Sequence, residues 1–186
     1  MPSTASFTSP SDPTLAADLA AAIKTVPDFP SPGVAFKDIT PVLADPALFQ
    51  RTTAALAAPW RTAGITHVLA IESRGFLFGA PVAQHLGVPL VPVRKPGKLP
   101  RALVRETYAL EYGTDALELH ADAIGTGARV LIVDDVLATG GTAAAVVRLA
   151  ERCGATVGGL AAVIDLSFLP WRTALAGRRT ETLVTY

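Results

Sequence analysis

The sequence predicts an α/β protein with a largely parallel sheet flanked by helices. Three observations predict it. Short apolar segments, "ITHVLAI", "VPLVPV", "ARVLIVD" and "TVGGLAAVIDL", alternate with stretches of helical periodicity. These segments are apolar on successive residues, so both faces of each strand are covered, as in parallel sheets. A glycine-rich turn, "LATGGTA", joins one strand to the next helix, where open α/β sheets carry their ligands.

The elements follow in order. Residues 1–13 are rich in Ser, Thr and Pro and predict a loose tail, with residues 14–186 forming a single domain. "TLAADLAAAIKTV" predicts a helix capped by Thr14, with Leu15, Leu19, Ala22 and Ile23 on one face. "PDFPSPGVAFKDITPVL" carries four prolines and is predicted to be extended, not helical. A second helix, Pro46 to Trp60, follows Asp45. "FLFGAPVAQHLG" is a helix ending at Gly87, between the first two strands. A basic loop then leads into "ETYALEY" and "ALELH", which predict an antiparallel hairpin turning at "GTD". "GTAAAVVRLAERCG" is a helix with Val146, Val147 and Ala150 facing inward. The stretch "SFLPWRTALAGRRTETLVTY" has no assignment beyond completing the fold.

Composition excludes several classes. Lys plus Arg and Asp plus Glu each number 16, so the formal net charge is zero, which argues against a nucleic-acid partner. The start has no secretory-signal pattern, and no apolar run is long enough to span a membrane. One cysteine, Cys153, rules out a disulfide framework and reads as a buried core thiol in a cytoplasmic protein. His67, His85 and His120 lack metal-ligand spacing, so no protein-built metal site is expected.

The chemistry concentrates in "VLIVDDVLATGGT". The turn meets a helix N-terminus, whose free N–H groups and partial positive charge favour an anion. Thr139 and Thr142 add hydroxyl donors, while Gly140 and Gly141 let a ligand approach the backbone. Neither a P-loop lysine nor G-x-G-x-x-G is present, so the turn suits a single phosphate monoester. Asp134 and Asp135 would repel that phosphate, but as carboxylates they can accept hydrogen bonds from hydroxyl groups. A phosphate and a diol one sugar apart describe a ribose 5-phosphate. In "ESRGF", Arg74 offers a planar fork for a second phosphate and Gly75 a close turn.

With those residues in view, "VLIVDDVLATGGT" resembles the phosphoribosyl-pyrophosphate signature of the type I phosphoribosyltransferases. "FPSPGVAFKDITPVLADP", "ESRGFLFGAPVA", "VPVRKPGKLP" and "YALEYGTDALELH" are similar, in order, to the blocks of the adenine phosphoribosyltransferases. The resemblance implies a core sheet with a small hood and a flexible lid loop. It implies transfer of a phosphoribosyl group to adenine, with Mg²⁺ carried by the phosphoribosyl pyrophosphate, in a homodimer. Donor and product contacts are implied at Ser73, Arg74, Arg94, Lys95, Lys98, Tyr112, Asp134, Asp135, Ala138, Thr139, Gly140, Gly141 and Thr142. Glu111 is implied as the catalytic group beside the ribose and base. Ala35, Phe36 and Lys37 are implied to read the base, with Leu166 closing its other face. Two alternatives stay open: the same chemistry on xanthine, hypoxanthine or guanine, and a non-catalytic regulator that senses phosphoribosyl pyrophosphate.

Overall fold

The computed structural model describes residues 13–109 and 114–186. Helix α1 (Pro13–Ala22) buries Leu15 and Leu19, with Ile23 just beyond its end. It is shorter than predicted, and Thr14 lies inside its first turn rather than capping it. Lys24–Val26 leave the helix to form β1, antiparallel to β2 (Phe36–Asp38), because β-branched Thr25 and Val26 suit a strand.

The proline-rich segment is helical at one point, contrary to expectation. Pro41 sits in the first turn of α2 (Thr40–Ala44), where a missing N–H costs nothing. Asp45 caps α3 (Pro46–Ala57), its carboxylate accepting the Ala47 and Leu48 N–H groups at 3.0 Å each. Pro59 cannot extend the α-helical ladder, so Ala58–Trp60 finish as a 3-10 turn.

Strand β3 (His67–Ile71), helix α4 (Gly75–Leu86) and strand β4 (Leu90–Val93) form the first strand-helix-strand unit of the sheet, with β3 and β4 parallel. The hairpin of β5 (Leu103–Ala109) and β6 (Thr114–His120) is offset from the predicted one: Tyr108 pairs with Asp115, which was expected in the turn. Glu111 and Tyr112 lie outside the described residues. Strand β7 (Arg129–Leu137) was expected to stop at Asp134. It continues because β8 (Thr156–Asp165) keeps pairing with it, Val136 with Ile164 and Leu137 with Asp165. Helix α5 (Gly141–Arg152) connects them. The unassigned C-terminal stretch supplies α6 (Trp171–Ala174) and an edge strand, β9 (Thr180–Thr185).

The five parallel strands lie in the order β4-β3-β7-β8-β9. The chain therefore winds outward from β3 on one side and from β7 on the other. The loops leaving these two neighbours diverge, which opens a crevice at their carboxyl ends. Residues of β7 alternate between two cores. Leu131 and Val133 pack with Leu15, Leu56 and Phe78 on one face, while Val130 and Ile132 pack with Val146, Leu149 and Leu117 on the other. Burial on both faces explains the unbroken apolar run. Cys153 is half-buried, with burial pushing its thiol pKa up. Among the described residues, no helix is long and apolar enough to cross a membrane.

Candidate active site

A cavity of about 450 Å³ fills the crevice between β3 and β7. Its floor and walls come from residues 71–74 at the end of β3, residues 134–140 with Thr142 and Ala143 from β7 into α5, and Lys95, Tyr108 and Leu117 from the basic loop and hairpin.

Ala138, Thr139 and Gly140 form the turn between β7 and α5. Gly140 precedes the first residue of the helix with φ of 83°, a left-handed geometry that glycine adopts without strain. This turn brings the start of α5, at Thr142 and Ala143, to the cavity, where a helix N-terminus offers free N–H groups. The Thr142 hydroxyl reaches the Tyr108 hydroxyl at 3.5 Å.

Asp134 is half-buried and Asp135 is 3% exposed. Asp134 Oδ1 accepts the Asp135 N–H at 2.8 Å, and Arg74 Nε lies 2.8 Å from Asp135 Oδ2. Burial, then the neighbouring Asp135 charge, pushes the Asp134 carboxyl well above the usual range. Burial also raises Asp135, against the opposing pull of the Arg74 guanidinium. The two loops touch at Gly75: a Cβ there would lie 2.9 Å from the Val133 carbonyl oxygen and 3.1 Å from Asp134 Oδ1. Only a hydrogen fits, so the glycine lets Arg74 reach the acids.

Arg94, Lys95 and Lys98 gather beside this loop, each held by a carboxylate. Glu72, with a side chain 8% exposed, accepts the Lys95 N–H at 2.9 Å and Arg94 Nε at 3.3 Å, and also pairs with the Lys98 ammonium. Burial pushes the Glu72 carboxyl up, but Lys98, the Lys95 N–H and Arg94 outweigh it and leave it below the ordinary value. Lys95 Nζ pairs with Asp115 at 2.8 Å, a bond that raises the lysine and lowers the aspartate.

The small antiparallel sheet approaches through Phe36, whose ring lies 5.0 Å from the Arg74 guanidinium carbon and edge-on to Phe29. The Lys37 ammonium donates to Thr25 Oγ1 at 2.8 Å and sits 3.8 Å from the Tyr186 ring centre. Ala35 is exposed. Leu166 follows β8 directly, its N–H bonded to the Leu137 carbonyl at 3.0 Å. The structure thus brings Ser73, Arg74, Lys95, both aspartates and the turn residues to one cavity. Arg94 and Lys98 join them through Glu72. Ala35, Phe36, Lys37, Gly141 and Leu166 are not among the residues lining it.

Sequence reasoning missed Glu72, Tyr108 and Asp115. Glu72 carried a signal, being the residue beside Ser73 and Arg74 in "ESRGF". Asp115 was hidden by the misplaced turn. Among the described residues, no cluster of three His, Cys, Asp or Glu side chains could hold a metal ion.

Residues 39–167 match the phosphoribosyl transferase domain family. An adenine phosphoribosyltransferase of Myxococcus xanthus is 54% identical, across 94% of this chain and 95% of that protein. One from a Synechococcus species is 57% identical, across 85% and 91%. The crystal structure of the Rhodothermus marinus adenine phosphoribosyltransferase superposes with a TM-score of 0.90 at 51% identity, covering 94% of this chain and all of that one. The Saccharomyces cerevisiae enzyme, solved with adenine and an imino-altritol bisphosphate, gives 0.84 at 41% identity, covering 90% and 97%.

Proposed function

The chain belongs to the phosphoribosyl transferase domain family and, within it, to the adenine phosphoribosyltransferases, and from that premise we propose how its cleft works. The enzyme joins adenine to 5-phosphoribosyl 1-pyrophosphate, giving AMP and pyrophosphate. One observation carries the reading of the site: Asp134, Asp135 and the N-terminus of α5 share a cavity with Arg74. Carboxylates that can accept from hydroxyl groups share this cavity with an anion-binding helix end.

In this reading Ala138 to Thr142 hold the 5-phosphate through N–H and hydroxyl donors, and Asp134 and Asp135 hold the ribose hydroxyls. Ser73, Arg74, Arg94, Lys95 and Lys98 receive the pyrophosphate. Phe36 stacks on adenine, backbone groups of Ala35 and Lys37 read its edge, and Leu166 closes its other face. A base nitrogen forms its bond to C1 of the ribose as the bond from C1 to pyrophosphate breaks, and positive charge builds on the sugar. The protein's share is to hold both reactants in line and to meet the leaving group with fixed cations. Glu111 and Tyr112, outside the described residues, are assigned to the ribose by the family resemblance. Glu111 serves as acid/base or as a counter-charge to the sugar cation.

The residues present suit a Mg²⁺ ion that arrives with the donor. Glu72 is committed to cations, while Asp134 and Asp135 face the cavity and would meet the ion's water shell. The metal would supply charge neutralisation of the pyrophosphate. A homodimer in the cytoplasm completes the proposal. Exposed Leu77 and Leu90 on α4 and β4 support the dimer, and the lone cysteine supports a reducing compartment.

A base-competition assay tests the assignments. Protein, Mg²⁺ and donor are mixed with adenine, hypoxanthine, guanine and xanthine together, and the nucleotides are resolved. AMP alone is expected. IMP, GMP or XMP would refute the roles of Ala35, Phe36 and Lys37. Donor binding without product would instead favour the non-catalytic regulator.

A further inference from the structure

A buried carboxylate with no part in the proposed reaction lies at the end of β8, near the phosphate turn. Asp165 ends β8, one residue before Leu166, and is 2% exposed. Its Oδ1 accepts the Trp171 indole N–H at 2.6 Å, and its Oδ2 accepts the Arg172 guanidinium at 2.5 Å. Trp171 is itself buried, and the Arg172 guanidinium lies 4.3 Å from its ring centre. These bonds offset the cost of burying the charge and fasten α6 to the end of β8.

The other side of α6 abuts the phosphate turn. A Cβ on Gly140 would lie 2.9 Å from Ala174 Cβ and 3.0 Å from Trp171 Cα. Gly140 has no side chain to brace its left-handed conformation, so the surface of α6 limits where the turn can go. The Leu166 N–H bond to the Leu137 carbonyl ties the ends of β7 and β8 at the same level. Asp165 is thus linked to Gly140 of the phosphate turn through Trp171.

We infer that Asp165 and Trp171 are positioning residues for the 5-phosphate: Asp165 fixes α6, and α6 fixes the turn in its anion-binding shape. The inference rests on the functional reading above. A purely structural role would lower stability and affect all ligands alike. A positioning role separates ligands that carry the phosphate from those that do not.

The test uses Asp165→Asn, which keeps volume and removes charge, and Trp171→Phe, which keeps a ring and removes the N–H donor. Dissociation constants are measured for AMP, ribose 5-phosphate and adenine, with melting temperature and steady-state kinetics alongside. AMP and ribose 5-phosphate are expected to weaken about tenfold, the scale of one lost hydrogen bond to a charged group. Adenine binding is expected to hold within about twofold, and the kinetic loss to fall on the donor KM rather than kcat. Equal weakening of all three ligands would overturn the inference, as would a lower melting temperature with phosphate affinity intact. If Asp165→Asn does not fold, Trp171→Phe carries the same comparison. A wild-type protein that bound no AMP would overturn the functional reading and this inference with it.

Discussion

Asp134→Asn should make the protein more stable and worse at binding its donor. Asp134 lines the cavity beside Asp135, and burial followed by that neighbouring charge raises its carboxyl well above the ordinary value. A raised folded-state pKa means that the folded chain binds a proton more readily than the unfolded chain. Stability therefore falls as pH rises from the unfolded carboxylate value through the folded one, and at neutral pH the ionised group destabilises. Asn removes that penalty while its oxygen can still accept the Asp135 N–H, now bonded at 2.8 Å. The gain in melting temperature should appear at pH 7.5 and shrink toward pH 4. For the donor, the role proposed for Asp134 means that one charged hydrogen bond to a ribose hydroxyl is lost. That costs about 1.5–3 kcal/mol, or roughly 10- to 150-fold in affinity. Titration calorimetry with the donor, and thermal melts at both pH values, read the two effects separately. Unchanged donor affinity would refute the hydroxyl-reading role. A loss of stability at pH 7.5 would refute the account of the carboxyl pair.

Three further perturbations test other parts of the site and its frame. Glu72→Gln keeps an acceptor for the Lys95 N–H but drops the charge that holds Lys98 and Arg94. Amide exchange across residues 95–98 should quicken, and the donor KM should rise roughly 2- to 10-fold, the ordering cost of one long side chain; an unchanged exchange rate would show that Glu72 does not hold the loop. Gly75→Ala places a methyl 2.9 Å from the Val133 carbonyl oxygen, which is backbone and cannot swing aside. A loss of about 1–3 kcal/mol in a urea melt is expected, with Arg74 displaced and pyrophosphate binding weakened; wild-type stability would count against the close approach. Asp45→Ala removes two capping bonds far from the cavity. It should cost about 0.5–2 kcal/mol while leaving the kinetic constants unchanged, and altered turnover would mean the remote frame is coupled to the site.

The sheet and the acid-glycine segment were readable because their signals are local. Parallel strands buried on both faces leave unbroken apolar runs, and "DDVLATGG" joins carboxylates to a helix start within a few residues. What failed depended on partners distant in sequence. β7 outran its predicted end because β8 continued beside it. The hairpin register was settled by pairs such as Tyr108 with Asp115, not by the turn-like composition of "GTD". The three-residue strand at Lys24–Val26 exists only because Phe36–Asp38 lie alongside, so the end of a helix looked like more helix. Glu72 was passed over for a related reason: its partners lie 22 to 26 residues ahead, in a loop whose cations had been read without their carboxylates.

Those carboxylates change how affinity for the donor must arise. Arg74 faces Asp135, Arg94 and Lys98 face Glu72, and Lys95 faces Asp115. A chain of zero formal charge has no global field to draw in a polyanion, and here each of these site cations is paired locally as well. Binding is therefore an exchange of partners, in which phosphate oxygens compete with or share the carboxylates already present. Such an exchange gains little from raw Coulomb attraction and much from geometry. Pairs already in place spend no reorganisation when the donor enters, provided that each cation keeps a free N–H facing the cavity. Lys98, at 46% exposure, and Arg94, at 32%, are open to solvent, whereas Glu72 beside them, at 8%, is buried. In the proposed pyrophosphate site the carboxylates would form the fixed layer and the cations the adjustable surface, so donor affinity should respond more to loss of the buried acids than to salt.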